Sequence, residues 1–110
     1  MIGNISVKSI GMIFFFVITV LLSGPVSNAQ NAISLNKDGW AYYKKTEYDR
    51  ALFCFTNSLR LNGRYYDSMV GAGKSYFALG IYDRALEMFS DALKYDSKSV
   101  DSLNGVGMIL

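Results

Sequence analysis

Apolar side chains recur at helical spacing in two stretches of the chain. In each stretch the apolar positions are separated by steps of 3, 1, 3 and 4, from Tyr48 to Leu59 and again from Tyr82 to Leu93. Such steps place side chains on one face of an α-helix. Apolar and small residues at similar spacing precede each stretch, within 35–43 and 69–77. The pattern predicts amphipathic helices arranged in consecutive pairs.

The connections within and between these pairs are short. Thr46-Glu47 and Gly80-Ile81 separate the two helices of each pair, which predicts antiparallel helical hairpins. Asn62-Gly63 ends the first pair, and we expect Gly63 to adopt the left-handed conformation that favours glycine after a helix. Asp96-Ser97 is a weaker stop signal at the end of the second pair. The predicted fold class is all-α.

The helix pairs are copies of one sequence unit. The residues Tyr48–Leu52 (YDRAL) recur unchanged as Tyr82–Leu86. This offset is 34 residues. Asp67-Ser68 recurs 34 residues later, as Asp101-Ser102, and two glycines follow each copy at equal spacing. A third unit therefore begins near residue 100.

A helix-turn-helix unit of about 34 residues resembles the tetratricopeptide repeat, whose signature slots are small, aromatic or aliphatic. In the second unit those slots hold Met69, Ala72, Gly73, Tyr76, Ala85, Phe89 and Ala92. The resemblance implies an α-solenoid over residues 30–110, with full repeats at 32–65 and 66–99 and the first helix of a third at 100–110. Asp38 departs from the pattern at a normally apolar slot, which predicts that the first helix lies at an exposed end.

Small residues in the signature slots predict close packing within each pair. Gly39, Gly73 and Gly107 are expected to let two helices approach closely. Ala51 and Ala85 do the same from the facing helix, and aromatic side chains fill the gaps between pairs.

The segment 1–29 differs from the rest and is typical of an export signal. Lys8 precedes an apolar run from Ile10 to Leu22, which is too short for a bilayer-spanning helix of roughly 20 residues. Gly24-Pro25 and a small-x-small motif ending at Ala29 predict cleavage before Gln30. The alternative is an uncleaved segment that tethers the protein to the membrane. The predicted localisation is periplasmic, extracellular or in the cell envelope.

Composition argues against most kinds of chemistry. The chain has no His and a single Cys, so the usual near-neutral proton shuttle and a multi-Cys zinc site are both missing. Gln30 to Leu110 holds ten basic and nine acidic residues, which leaves no basic surface for nucleic acid. We predict no catalytic, metal-binding or cofactor-binding residues and no small-molecule substrate. Cys54 is expected to be a buried small hydrophobe, with an intermolecular disulfide as the alternative.

Gly73-Lys74-Ser75 looks like the end of a phosphate-binding loop, although such a loop must lie between a strand and a helix. Here the three residues fall in the middle of a predicted helix. We therefore expect no nucleotide site.

The resemblance does imply a protein-binding surface. In tetratricopeptide proteins the first helices of successive pairs line a concave groove. The groove residues predicted here are Asn36, Trp40, Tyr43, Lys44, Val70, Lys74 and Phe77. Aromatic and lysine side chains along one strip suit a peptide or protein partner with apolar and acidic side chains. Alternatively, Trp40 and Phe77 pack against a further repeat or a neighbouring subunit.

Some family members hold the C-terminal carboxylate of a chaperone with Lys, Asn and Arg side chains on these helices. The nearest positions here hold Asn36, Trp40, Gly71, Asp101 and Gly105. We expect that carboxylate clamp to be absent.

The leading hypothesis is an exported, non-enzymatic protein-interaction module. The first alternative is a structural unit that self-associates through its apolar, uncapped C-terminal edge, and the second is a fragment of a longer repeat array. An enzyme is the least favoured class, because no coherent active site is present.

Overall fold

The computed structural model describes residues 28–110, and all of the regular structure in that range is helical. Helix α1 covers residues 28–44. It is followed by α2 (Tyr48–Leu61), α3 (Tyr66–Ala78), α4 (Tyr82–Tyr95) and α5 (Val100–Ile109). The predicted all-α architecture of two helix pairs and one further helix is confirmed. The predicted export signal lies almost wholly outside the described residues.

Both hairpin turns have the same backbone geometry. Thr46 and Gly80, which occupy equivalent places in the two repeats, have φ angles of 61° and 78°. In the first turn the amides of Thr46 and Glu47 donate to the carbonyls of Tyr43 and Tyr42, at 2.9 and 3.0 Å. In the second turn the amides of Gly80 and Ile81 donate in the same way, to the carbonyls of Phe77 and Tyr76. Each first helix therefore ends in a Schellman motif, which turns the chain back along the helix.

The connections between pairs use a different turn, and the expectation for Gly63 is wrong. Its φ lies outside the left-handed region. Instead, the side-chain oxygens of Asn62 and Asp96 each accept the backbone N–H two residues later, at 3.1 Å. Asn and Asp stabilise turns in this way without left-handed backbone. Asp96 therefore ends its helix in the same conformation as Asn62.

Two phenylalanine rings form the centres of the packing. Phe55 is 0% exposed, and a Cβ atom added to Gly39 or Gly71 would lie 2.7 or 2.4 Å from its ring. Phe89 has the same relation to Gly73 and Gly105, at 2.8 and 2.5 Å. The expectation of close approach at Gly39 and Gly73 is confirmed.

The expectation of close approach at Gly107 is wrong, because no described atom outside its own helix backbone lies within 4 Å of its added Cβ. Gly71 and Gly105 take part instead, from the first helix of the next pair. Ala51 and Ala85 are both 0% exposed, as predicted. Asp38 is exposed on α1, in agreement with its departure from the apolar pattern.

Candidate protein-binding surface

Asp67 is the centre of a polar network on the first helices of the two pairs. Asn36 Nδ2 and Trp40 Nε1 of α1 both donate to Asp67 Oδ2 of α3, at 2.7 Å each. The Asp67 side chain is only partly buried. It therefore fixes the orientation of the Trp40 indole while its carboxylate stays accessible from solvent.

A buried row of hydroxyl groups supports this network from below. Ser68 Oγ lies 2.9 Å from Asn36 Oδ1 and 2.8 Å from Ser58 Oγ. Ser58 Oγ donates in turn to the carbonyl of Ala32 at 2.8 Å. Among the described residues no buried side-chain polar atom lacks a hydrogen-bond partner. Satisfied buried networks of this kind favour a single arrangement of the groups they hold.

The same relation recurs one repeat later with an ion pair. Lys74 Nζ lies 3.1 Å from Asp101 Oδ1 of α5 and 5.8 Å from the centroid of the Trp40 ring. Lys74 corresponds to Trp40, and Asp101 to Asp67, when the two repeats are superimposed in sequence. Asp67 of α3 thus contacts polar groups of α1, and Asp101 of α5 contacts a polar group of α3.

The aromatic side chains Tyr43 and Phe77 also occupy equivalent places. Tyr43 packs edge-on against Tyr48, with ring centroids 5.2 Å apart, and Phe77 packs against Tyr82 at 5.4 Å. Trp40 lies between Tyr43 and the buried Phe55, at 5.6 and 5.0 Å. Trp40, Tyr43 and Phe77 therefore each have an edge-on contact with another ring, while part of each of these three side chains stays exposed.

The predicted groove residues differ in their exposure. Asn36 and Val70 are only 6% and 3% exposed, so their side chains lie beneath the surface. Trp40, Tyr43, Lys74 and Phe77 are half-buried, and Lys44 is exposed. The network and the cation–π contact bring Asn36, Trp40 and Lys74 together. Asp67 and Asp101 were not predicted as site residues, although the repeated Asp-Ser pair was their signal.

Other candidate chemistry is not assembled in residues 28–110. No group of three His, Cys, Asp or Glu side chains in this range is placed to hold a metal ion. Ser75 of the apparent phosphate loop is buried in α3 and donates its hydroxyl to the Gly71 carbonyl at 2.8 Å. No helix in the described range is long and apolar enough to span a bilayer.

A protein-family model described as tetratricopeptide repeat matches residues 37–101 and 70–110. The chain belongs to the tetratricopeptide repeat family. Together the two matches extend over most of the chain, and they confirm the resemblance drawn from the repeated helix pair. Tetratricopeptide domains are protein-interaction modules. No curated protein is a significant match to the chain.

Solved tetratricopeptide domains have the same fold. The Arabidopsis OM64 domain aligns with a TM-score of 0.73 and 21% identity, over 74% of this chain and 68% of that one. The second domain of Spaghetti (RPAP3), bound to the HSP90 peptide SRMEEVD, aligns with a TM-score of 0.71 and 23% identity, over 76% of this chain and 77% of that one. The second domain of human RPAP3, in complex with the HSP70 peptide SGPTIEEVD, aligns with a TM-score of 0.69 and 23% identity, over 72% of this chain and 66% of that one.

Proposed function

We propose that this chain is an exported, non-enzymatic module that binds a peptide segment of a partner protein. The binding surface is the strip of half-buried aromatic side chains on α1 and α3, here called the aromatic strip: Trp40, Tyr43 and Phe77. Membership of the tetratricopeptide family supports the class of function. The peptide-bound RPAP3 neighbours support the kind of partner.

The observation that carries the proposal is that the rings of the aromatic strip pack against neighbouring groups and are still partly exposed. Each ring is held by an edge-on contact with a neighbouring ring, and Trp40 is also held by Asp67. Preorganised aromatic rings lose little conformational entropy on binding, and they dominate the energy of many interfaces. The strip therefore suits apolar side chains of a partner.

Charge refines the expected partner. Lys74 is already compensated by Asp101, whereas Lys44 is exposed and has no ion pair among the described residues. An acidic side chain of the peptide would find its counter-charge at Lys44. We infer a partner segment that is mainly apolar and carries an acidic residue at the α1 end of the strip.

Selection from a random peptide library against the full chain tests this proposal. Selected peptides should bind the Phe77→Ala variant at least tenfold more weakly and the Lys44→Ala variant several-fold more weakly, in fluorescence anisotropy. Phe53→Ala is the matched control, since Phe53 is an aromatic residue of α2 that is 69% exposed. Equal affinity for Phe77→Ala and Phe53→Ala would contradict the assignment of the strip.

The peptide SRMEEVD distinguishes this strip from a carboxylate clamp. It carries three acidic side chains and a terminal carboxylate, whereas the Asp67 carboxylate lies beside Trp40 and Lys74 is already paired with Asp101. We expect no saturable binding of SRMEEVD at concentrations that saturate the selected peptides. Tight binding that requires the free C-terminal carboxylate would show that a clamp is present after all.

Export is tested separately, by N-terminal sequencing of the protein recovered from the cell envelope or the medium. Cleavage should leave Gln30 as the first residue. An intact Met1 on membrane-bound protein would support the tethered alternative instead.

A further inference from the structure

The charge pattern of α2 differs from that of α4, its counterpart in the second repeat. The stretch from Arg50 to Tyr66 contains three arginines and no acidic residue. The equivalent stretch, from Arg84 to Val100, also contains three cations, but three acidic residues lie among them: Glu87, Asp91 and Asp96. In the first repeat the places of these acids are taken by Phe53, Asn57 and Asn62.

This difference leaves two arginines of the first repeat without a counter-charge. Glu87 and Asp91 each form an ion pair with a cation of α4, at 3.1 Å in both cases. Arg60 and Arg64 have no ion pair among the described residues, and both are exposed. Two uncompensated guanidinium groups therefore lie at the end of α2 and in the connection that follows it.

Apolar side chains accompany these arginines on the outward side of α2. Phe53 is 69% exposed and Leu61 is 38% exposed. Phe53 and Arg60 are seven residues apart, which places them on one face of the helix. The opposite face is buried and includes Ala51 and Phe55. The set Phe53, Arg60, Leu61 and Arg64, here called the basic face, thus presents apolar and cationic groups together.

Stacking of repeats does not cover the basic face. Among α2–α5, helix α2 contacts only α3, and α4 contacts only α3 and α5. The second helices of the two pairs therefore do not contact each other. A further repeat packed in the same way would leave the outward side of α2 open.

The segments that adjoin the basic face supply no ion pair for it. Ser58, in the last turn of α2, donates to the carbonyl of Ala32 at 2.8 Å, so the beginning of α1 lies beside this end of α2. Residues 28–36 of α1 carry no charge. Asp67, the first acidic residue after Arg64, accepts its hydrogen bonds from α1 instead. The positive charge of the face is thus free to act on a ligand.

We propose that the basic face binds the surface of an anionic phospholipid bilayer. Arg60 and Arg64 contact lipid phosphate groups, while Phe53 and Leu61 enter the boundary between headgroups and acyl chains. The apolar side chains favour a bilayer over a soluble polyanion, which has no apolar region to receive them. This inference is independent of the peptide-binding function proposed for the aromatic strip.

Binding of the full chain to vesicles tests the proposal, with vesicles of phosphatidylcholine alone or of an equal mixture with phosphatidylglycerol. The apolar run Ile10–Leu22 can enter either kind of vesicle, so the measured quantity is the ratio of the affinity for anionic vesicles to that for neutral ones. One cation near an anionic surface contributes about fivefold to binding, so Arg60→Gln/Arg64→Gln should lower this ratio at least tenfold. An unchanged ratio would overturn the proposal.

The matched control is Arg84→Gln/Lys94→Gln, which removes the same charge from α4. Acidic residues already compensate both of these cations, so the affinity ratio should stay close to that of the wild type. All four substituted positions are exposed, and circular dichroism should show unchanged helix content in both variants. Equal losses in the two variants would show that net charge alone determines binding, and this would overturn the proposal.

Quenching by lipids with brominated acyl chains tests the orientation on the bilayer. Trp40 is the only tryptophan of the chain and belongs to the aromatic strip, so its emission should not be quenched. Phe53→Trp should add an emission that is quenched. Quenching of Trp40 would place the aromatic strip at the membrane instead and overturn the proposal.

The remaining outcomes separate a bilayer from other ligands and this site from the aromatic strip. An arginine-dependent affinity ratio without quenching in Phe53→Trp would assign the arginines to a polyanion and overturn the membrane proposal. The Phe77→Ala variant should keep the wild-type affinity ratio, so failure of the aromatic strip and failure of the basic face are distinguishable.

Discussion

At the residue scale, the identity of a side chain matters most where two helices meet at a phenylalanine ring. Gly105 and Gly107 lie on the same helix with one residue between them, yet they have opposite surroundings. Gly105 faces the buried Phe89, whereas Gly107 faces open space. The pair therefore separates the steric cost of a methyl group from its effect on helix propensity.

We expect Gly105→Ala to lower the free energy of unfolding by roughly 1–3 kcal/mol, because Cβ would lie 2.5 Å from the Phe89 ring. Gly107→Ala should raise it by up to about 1 kcal/mol, since alanine is the better helix former. Urea denaturation followed by circular dichroism measures both. Equal shifts for the two variants would contradict the packing around Phe89.

Cys54 is 7% exposed, which agrees with the expected buried thiol. Burial raises the pKa of this thiol above its ordinary value near 9, and the nearby Asp38 carboxylate raises it further. In the unfolded chain the thiol ionises at lower pH than in the folded one. Its contribution to stability is therefore present below pH 9 and declines as the pH rises through the folded pKa.

Between pH 8 and pH 10.5 the wild type should consequently lose more unfolding free energy than Cys54→Ala, which has no thiol. The comparison with Cys54→Ala removes every pH effect that the two proteins have in common. Native Cys54 should also react slowly with iodoacetamide at pH 8 and rapidly in denaturant. A fast reaction in the native state would contradict its burial.

At the scale of the elements, the helices are set by local pattern and the turns by a few residues. Both hairpin turns need one residue in the left-handed conformation, and only the second uses glycine for it. Left-handed backbone costs a residue with a side chain roughly 1–2 kcal/mol. Thr46 is β-branched, so the first hairpin carries a strain that the second avoids.

Thr46→Gly should therefore raise the free energy of unfolding by about 1 kcal/mol, after the larger chain entropy of glycine offsets part of the relief. The reciprocal variant Gly80→Thr should lower it by a similar amount. Thermal unfolding of the two variants checks the prediction. A decrease for Thr46→Gly would show that the left-handed turn is not retained in solution.

At the scale of the whole molecule, the repeats stack so that, among α2–α5, each helix contacts only near neighbours. Helix α3 contacts α2, α4 and α5, whereas α5 contacts only α3 and α4 among α2–α5. Stability in such arrays follows the number of packed interfaces around each element. The order of local stability should therefore fall from α3 towards α5.

Hydrogen exchange followed by mass spectrometry should show the slowest backbone amide exchange in α3 and α4 and the fastest in α5. Lys74→Ala removes the ion pair with Asp101 that links α3 to α5, and it should speed exchange in α5 with little change in α4. Protection of α5 equal to that of α3 would contradict the smaller number of helices packed against α5.

The sequence by itself determined the helices, their pairing and the family, because helical periodicity and the regular repeat offset are local or repeated signals. The slots of Phe55, Phe89, Ala51 and Ala85 followed from the same repeat, and all four are buried as expected. Repetition makes the burial of such positions predictable from the sequence, since each unit packs in the same way as the next.

Only the tertiary structure decided which residues meet across repeats. The hydrogen bonds of Asp67 to Trp40 and Asn36 join residues 27 and 31 positions apart, and no local pattern encodes such pairs. The same holds for the roles of Gly71 and Gly105 against rings of the preceding repeat. Gly107 was expected to be packed because it matches its equivalents in sequence. It is open because close packing depends on the atoms that surround a residue, and a sequence slot does not supply them.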